Sequence, residues 1–263
     1  MRLAWLVVLV CACSDSHILA PIHLKAPNQL RVLSYNVNFG MAGDPPTIDA
    51  IASVGADIVF LQETNATWQR ALITRLGSAY PHKRFTHPDT WPAGGMGLLS
   101  KYPVVSLQHL DSVGGMFFAW RVVLDTKLGR IQVLNVHLRP PMSDGGSWVV
   151  GYFSTRDNRL REIENHAAAL DPKLPTLVVG DFNEESDGKA VGYLVDHGFT
   201  DALGEKIGSK RTWEWPVSSS MTLRFQLDHI MHDDHFIAVA AAVVEAGRSD
   251  HKPVWADFER MDP

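Results

Sequence analysis

Nine short β-branched or apolar runs lie between residues 30 and 260, separated by only four helical stretches. This ratio constrains the fold more than any other feature. A wholly parallel sheet needs a crossover helix for nearly every strand, so some of these runs must pair antiparallel. The runs are Leu30–Tyr35, Asp57–Leu61, Gly97–Ser100, Phe117–Asp125, Arg130–Val136, Thr176–Val179, Gln226–Met231, Ile237–Val244 and Val254–Phe258. The helical stretches are Thr47–Val54, Ala66–Leu76, Thr155–Leu170 and Gly188–His197, with Pro46 suited to a first helical turn. Thr126-Lys127-Leu128-Gly129 joins two strand runs as a glycine-containing hairpin loop. The expected architecture is α/β, with two packed mixed β-sheets flanked by helices. The 263 residues, 46% hydrophobic and 20% charged, suffice for one large core and exclude a disordered chain.

Charge and cysteine usage narrow the function. The net charge of -5, from 24 basic and 29 acidic residues, lacks the footprint of a DNA-coating protein. It leaves room for an enzyme that grips phosphate through a metal. Cys11 and Cys13 are the two cysteines, so the body of the chain has no disulfide, thiolate metal site or cysteine nucleophile. Residues 1–13, MRLAWLVVLVCAC, place one arginine before an apolar run. That run is too short for a bilayer core of about 30 Å but suits a secretory signal. Val10-Cys11-Ala12-Cys13 resembles a bacterial lipobox, which makes Cys13 the lipidation site. The competing readings are a plain signal peptide cut nearby and a fortuitous apolar start. The lipoprotein reading divides the chain into a signal peptide (1–12), a tether (13–28) and one domain (29–263). Ser14 after the lipidated position points to the outer membrane, and a cysteine-free domain suits an oxidising envelope compartment.

The chemistry lies at the ends of the strand runs. Leu33-Ser34-Tyr35 leads into Asn36, Phe60-Leu61-Gln62 into Glu63, and Asn135-Val136 into His137. Val178-Val179-Gly180 leads into Asp181 and then Asn183; Leu227 precedes Asp228, and Ser249 precedes Asp250 and His251. A charged group at a buried strand end is unfavourable unless paired or metal-bound. Six such ends imply one shared polar site.

In chain order these segments resemble the motifs of the endonuclease/exonuclease/phosphatase superfamily. They are Leu33-Ser34-Tyr35-Asn36-Val37-Asn38, Leu61-Gln62-Glu63, Asn135-Val136-His137-Leu138, Gly180-Asp181-Phe182-Asn183, Leu227-Asp228-His229-Ile230 and Ser249-Asp250-His251-Lys252-Pro253. Gly97-Leu98-Leu99-Ser100-Lys101-Tyr102-Pro103 resembles a further strand and turn of that family. The resemblance spans about residues 30–260 and implies a four-layer α/β sandwich. It also implies a Mg²⁺-dependent phosphoesterase, with Mn²⁺ as an alternative, in which water attacks a phosphodiester or phosphomonoester in line. Glu63 is then the leading metal ligand; Asn36 holds the metal shell or the phosphate, and Asp250 is a second or water-mediated ligand or a positioning group. Asp181 orients and deprotonates the water, and Asn183 holds that water or a phosphate oxygen. His251 touches the phosphate with Asp228 fixing its tautomer, and His137 is a general acid or electrophile. Read singly, Glu63 could cap the next helix, Asn36 and Asp181-Phe182-Asn183 could be Asx turns, and His137 could be a structural hydrogen-bonder.

His137 stands where AP endonucleases commonly place a tyrosine-containing segment, which favours the DNase-like, sphingomyelinase-like and inositol-phosphatase-like branches. The substrate is therefore a nucleic acid, a phospholipid head group or a soluble phosphomonoester. The anchor and acidity tilt away from duplex DNA, and a monomer is expected. The alternative from another class is a catalytically inactive envelope binding module. His232-Asp233-Asp234-His235 reads better as a polar turn than as a metal cluster. Trp213 and Trp215, after Lys210 and Arg211, could stack on bases, dip into a membrane interface or cover a sheet edge. Residues 139–151 form a glycine-rich loop after His137, either a specificity element or lid, or a solvent loop.

Overall fold

The computed structural model describes residues 24–261 apart from 115, 143–149, 152, 153, 219 and 220. The proposed lipobox at Cys13, with the signal peptide and most of the tether, lies outside the described residues. One sheet has six strands in the spatial order Phe236–Val243 (β13), Val254–Arg260 (β14), Leu30–Asn36 (β1), Ile58–Gln62 (β2), Met96–Ser100 (β4) and His82–Thr86 (β3). The other has the order Val104–Leu110 (β5), Ala119–Thr126 (β6), Gly129–His137 (β7), Thr176–Asp181 (β8), Asp228–His232 (β12) and Thr200–Asp201 (β9). A separate hairpin pairs Trp213–Ser218 (β10) with Met221–Phe225 (β11). Each large sheet has one parallel pair near its centre, β1 with β2 and β7 with β8, and antiparallel pairs elsewhere. The α-helices delimited among the described residues are Pro45–Val54 (α1), Ala66–Leu76 (α2), Arg156–Ala167 (α3), Lys189–Asp196 (α4) and Ala202–Ile207 (α5).

Side-chain alternation builds four layers. Along β1, Leu30 and Val32 join Ile58, Phe60, Trp120, Val133 and Val179 in the core between the sheets. Leu33 and Tyr35 point the other way, onto Ile48, Ile51, Trp68 and Leu72 of α1 and α2. On the far sheet Leu134, Val136 and Val178 pack against Ile163 of α3 and Leu194 of α4. Strands buried on both faces read as continuous apolar runs, which is why their sequence is so legible. The expected four-layer sandwich is the observed one.

The departures have physical causes. β3 and β5 are edge strands with mixed side chains and little full burial, and β10–β11 is a hairpin outside both large sheets, so none shows a long apolar run. The two-residue β9 and the short α5 also escape a window-based reading. β6 starts at Ala119, two residues later than expected, and β12 starts at Asp228 rather than Gln226. α3 starts after Thr155 and ends at Ala167. α1 begins earlier than expected, where Asp44 accepts from the Thr47 N–H ahead of a proline-led first turn. His232 ends β12, and Asp233 accepts hydrogen bonds from the Thr176 and His235 amides, so that segment is a polar turn.

Two features fix the strand ends that matter. Gly180 has φ +139°, and a Cβ there would lie 2.0 Å from the Val136 carbonyl oxygen, so only glycine lets β8 close onto β7. Between the sheets, Gln62 donates to Asn135 Oδ1 at 2.7 Å and to Ser34 Oγ at 3.2 Å, a buried polar bridge one residue below Glu63 and two below His137. At the opposite pole the buried Arg31 guanidinium chelates Asp257 through Nε at 2.8 Å and Nη2 at 2.6 Å. Arg31→Met strands Asp257 in the core, and the unfolding free energy should fall by about 3–5 kcal/mol. Urea titration checks this, and an unchanged midpoint would show that the pair contributes nothing.

Candidate active site

Because β1 and β2 run parallel, as do β7 and β8, their carboxyl ends share one pole of the sandwich. There the register pairs Asn36 with Gln62 and His137 with Asp181. β12 enters antiparallel, so Asp228 begins the strand directly opposite Asp181. His251 precedes β14 and forms an isolated bridge with Trp213. Asn36, Glu63, His137, Asp181, Asn183, Asp228 and His251 are thereby brought to one cleft, with Asp250 on its wall.

Asp181 Oδ2 is the junction. It accepts from Asn36 Nδ2 at 3.0 Å and lies 3.5 Å from both His137 Nε2 and His251 Nε2. Asn36 Nδ2 also donates to Glu63 Oε1 at 2.9 Å, and the Phe39 amide donates to Glu63 Oε2. The cap of α2 is Asn65, which accepts from Thr67 and Trp68, so Glu63 is not a helix cap. Asn36 and Asp181 do form Asx contacts, with the Asn38 and Asn183 amides, and serve the cleft as well. Asn183 donates its side-chain N–H to the Leu138 carbonyl at 2.9 Å, which ties the β8 end to the β7 end. His251 Nδ1 lies 2.9 Å from Asp228 Oδ2, while the buried Asp228 Oδ1 has no hydrogen-bond partner. Asp250 accepts from Asn38 Nδ2 at 2.8 Å and from Trp213 Nε1 at 3.0 Å, so both carboxylate oxygens already hold loops in place.

Backbone strain gathers in the same place. Among the described residues the non-glycine ones with positive φ are Asn38, Glu63 and Asn183, at 58°, 59° and 53°. All three sit just beyond strands that feed the cleft, where strain is tolerated when it places a functional group.

Burial and charge separate the two histidines. Burial lowers the His137 pKa to about 3, with the charge of His251 adding, so His137 is neutral. Its ring stacks on Phe117 at 4.0 Å and 15°. Burial also disfavours the His251 imidazolium, but Asp228 and Asp181 outweigh it and raise the pKa to about 10. Burial pushes Asp181 up to about 7, opposed by His251 and aided by Asp228. Glu63 is raised by burial against the hydrogen bond from Asn36.

The donor set tests whether a hard dication fits. The cleft gathers the carboxylates of Glu63, Asp181 and Asp228 around one imidazolium, and one oxygen of Asp228 is unsatisfied. Asp181, Asp228 and His251 also present ligand atoms within 4.8 Å of one another. Excess buried negative charge on oxygen ligands suits a divalent cation.

A family model described as Endonuclease/Exonuclease/phosphatase family matches residues 33–251. The chain belongs to this family. It is accordingly a hydrolase of phosphoester bonds and a metal-dependent phosphoesterase in the general sense. Solved structures share its fold at low identity. The endonuclease/exonuclease/phosphatase from Beutenbergia cavernae is 18% identical with a TM-score of 0.70, over 89% of this chain and 72% of that one. The D. rerio TDP2 complexed with single strand DNA product is 16% identical, TM-score 0.67, over 88% and 99%. The human Nocturnin catalytic domain with bound sulfate anion is 19% identical, TM-score 0.65, over 89% and 94%. No curated protein matches at a significant level.

Sequence reasoning left Phe117 inside a strand, gave Asn38 no role and left Trp213 open between base stacking, a membrane interface and a sheet-edge cover. Phe117, in the loop before β6, and Trp213, the first residue of β10, reach the cleft from segments distant in sequence, which carry no local signal; the asparagine following β1 was the available clue for Asn38. In metal-free protein, Asp228→Asn should lower the His251 protonation constant by roughly tenfold or more, read by NMR titration of the ring. Stability that His251 contributes below its ordinary pKa of 6.5 is lost as pH rises through about 10. Wild-type protein should therefore lose more stability than the variant between those limits, and parallel pH profiles would contradict the pairing.

Proposed function

We propose that the protein hydrolyses a phosphodiester or phosphomonoester by in-line attack of water with Mg²⁺ bound in the cleft. The observation carrying this reading is the convergence of Asn36, His137 and His251 on Asp181 Oδ2 beside Glu63. Glu63 and Asn36 would hold the cation; Asp250 acts as a positioning group, since Asn38 and Trp213 engage both of its oxygens. When bound, the cation polarises the phosphoryl oxygen and offsets charge that develops there.

The remaining work falls to the side chains. Asp181, with its pKa raised to about 7, takes the proton of the attacking water near neutral pH. Asn183 closes the same corner and holds a water or phosphate oxygen. His251 donates from Nε2 to a phosphate oxygen, and Asp228 at Nδ1 fixes its tautomer and charge. His137, neutral and clamped by Phe117, offers a second nitrogen to the substrate. The substrate is a nucleic acid or a phospholipid head group. TDP2 with a DNA product supports the first, and a lipid anchor at Cys13 in the outer envelope supports the second. Among the described residues no helix is long and apolar enough to cross a membrane.

EDTA should abolish turnover of a bis-aryl phosphate, and added Mg²⁺ should restore it. Glu63→Gln should raise the Mg²⁺ needed by roughly 10–100-fold. Asp181→Asn should lower kcat about 10²–10⁴-fold while the unfolding midpoint stays native-like. Full activity after exhaustive chelation, or an active Asp181→Asn protein, contradicts the mechanism. Cys13→Ser should leave the precursor uncut or move the protein from the membrane fraction to the soluble one. A mature N-terminus well beyond residue 13 would instead mark an ordinary secreted protein.

A further inference from the structure

The rim of the cleft is more apolar than a site for water-borne esters needs. The strand register identifies the loops that form this rim. Phe39 follows β1, and Met142 follows β7. β3 ends at Thr86 opposite Met96, and Met96 faces Gln62, so the loop carrying Trp91 lies at the cleft. β5 ends at Leu110 opposite Ala119, beside the Trp120–Asn135 pair, so the loop carrying Val113 lies there too. The β10–β11 hairpin starts at Trp213 against His251 and carries Trp215 two residues on and Met221 at its far end. These six side chains are between 40% and 52% exposed.

The other exposed large apolar residues among those described are Leu24, Ile73, Val105, Val150, Val195, Ile237 and Met261, none of them aromatic. Among the described residues the three exposed aromatics, Phe39, Trp91 and Trp215, are therefore at the catalytic pole, two on loops and one on the β10–β11 hairpin. Local packing ties the ring to the chemistry. Trp215 stacks on Trp213, the donor to Asp250, and a Cβ at Gly94 would touch both Phe117 and Trp91.

We infer that this rim is a lipid-contacting surface and that the cleft takes its phosphoester from a membrane, a phospholipid or sphingolipid head group. The inference rests on the phosphoesterase reading and selects one of its substrate classes. Aromatic side chains with aliphatic neighbours suit the interface between head groups and acyl chains. Val113, Met142 and Met221 have no π-face to stack on a base but partition readily into hydrocarbon. Lys210 and Arg211, exposed beside the hairpin, supply cations for lipid phosphates. A nucleic-acid groove instead needs a row of uncommitted cations. Here Arg224 and Lys252 both pair with Glu214, and the chain carries -5.

The test uses the full chain bearing Cys13→Ser, so that no lipid anchor masks binding, with and without Trp91→Ser and Met221→Ser. Neither of these positions belongs to the catalytic machinery. Turnover of soluble bis(p-nitrophenyl) phosphate should stay within about twofold, which also shows that the variant is folded. Binding to phosphatidylcholine/phosphatidylglycerol vesicles should weaken about tenfold, and head-group release should fall with it. Tryptophan fluorescence should be quenched by brominated lipid, and by less when Trp91 is replaced, a comparison that separates the rim from Trp5 of the apolar leader. Unchanged vesicle binding, or no quenching, overturns the inference. So does a tenfold loss of single-stranded DNA cleavage with vesicle binding intact, which would make the rim a base-stacking surface. Rim-dependent vesicle binding by a chain that hydrolyses none of these esters would uphold the lipid surface and remove the phosphoesterase reading.

Discussion

A single buried hydrogen bond, from Gln62 on one sheet to Asn135 on the other, lies beneath everything the cleft does. Apart from this pair, its Ser34 and Met96 neighbours and the Asn36–Asp181 bond at the cleft, the side chains packed between the sheets are chiefly apolar and non-directional, and alone would tolerate small slides of one sheet over the other. A polar pair in that medium would lose its partner on such a slide, at about 1–3 kcal/mol for each group left unsatisfied. It therefore fixes the relative position of β2 and β7 immediately below Glu63 and His137. The parallel pairing of β1 with β2 and of β7 with β8 then sends all four carboxyl ends to the same pole. The Asn36 side chain joins the two halves by bonding Glu63 on its own sheet and Asp181 on the other.

The cleft concentrates features that stability alone would select against. Three carboxylates lie near one another, one with an unsatisfied oxygen, and three non-glycine residues hold positive φ. Elsewhere buried charges are neutralised, as in the Arg159–Glu184 pair and the Arg31–Asp257 pair. That contrast sets the cleft apart from structural ion pairs. A bound cation would relieve the same imbalance, so its binding and the stability of the pole are linked. Within the cleft, two histidines of the same intrinsic basicity are driven in opposite directions. Burial and the charge of His251 keep His137 neutral, while Asp228 and Asp181 outweigh burial at His251 and keep it protonated.

Much of this was legible before any coordinates. The doubly buried strands announced themselves as unbroken apolar runs, and Asn36, Glu63, His137, Asp181, Asn183, Asp228 and His251 were identifiable as polar ends to such runs. The edge strands β3 and β5 and the β10–β11 hairpin were not legible, because half-exposed strands carry mixed side chains and no strong period. Asp250 was read as a ligand or a positioning group, and no local pattern could choose. Its two oxygens are engaged by Asn38, 212 residues away, and by Trp213, 37 residues away.

The sequence by itself determined the layers and the chemical inventory: alternation dictates which faces are buried, and a polar residue ending a buried run must find a partner. Only the tertiary structure decided which partners these were. It committed both oxygens of Asp250 to Asn38 and Trp213, stacked Phe117 on His137, and collected the exposed aromatics of three separate segments around one opening. Strand registers and loop approaches join residues far apart in the chain, and their geometry depends on the packing of both sheets at once. No window of sequence contains that information.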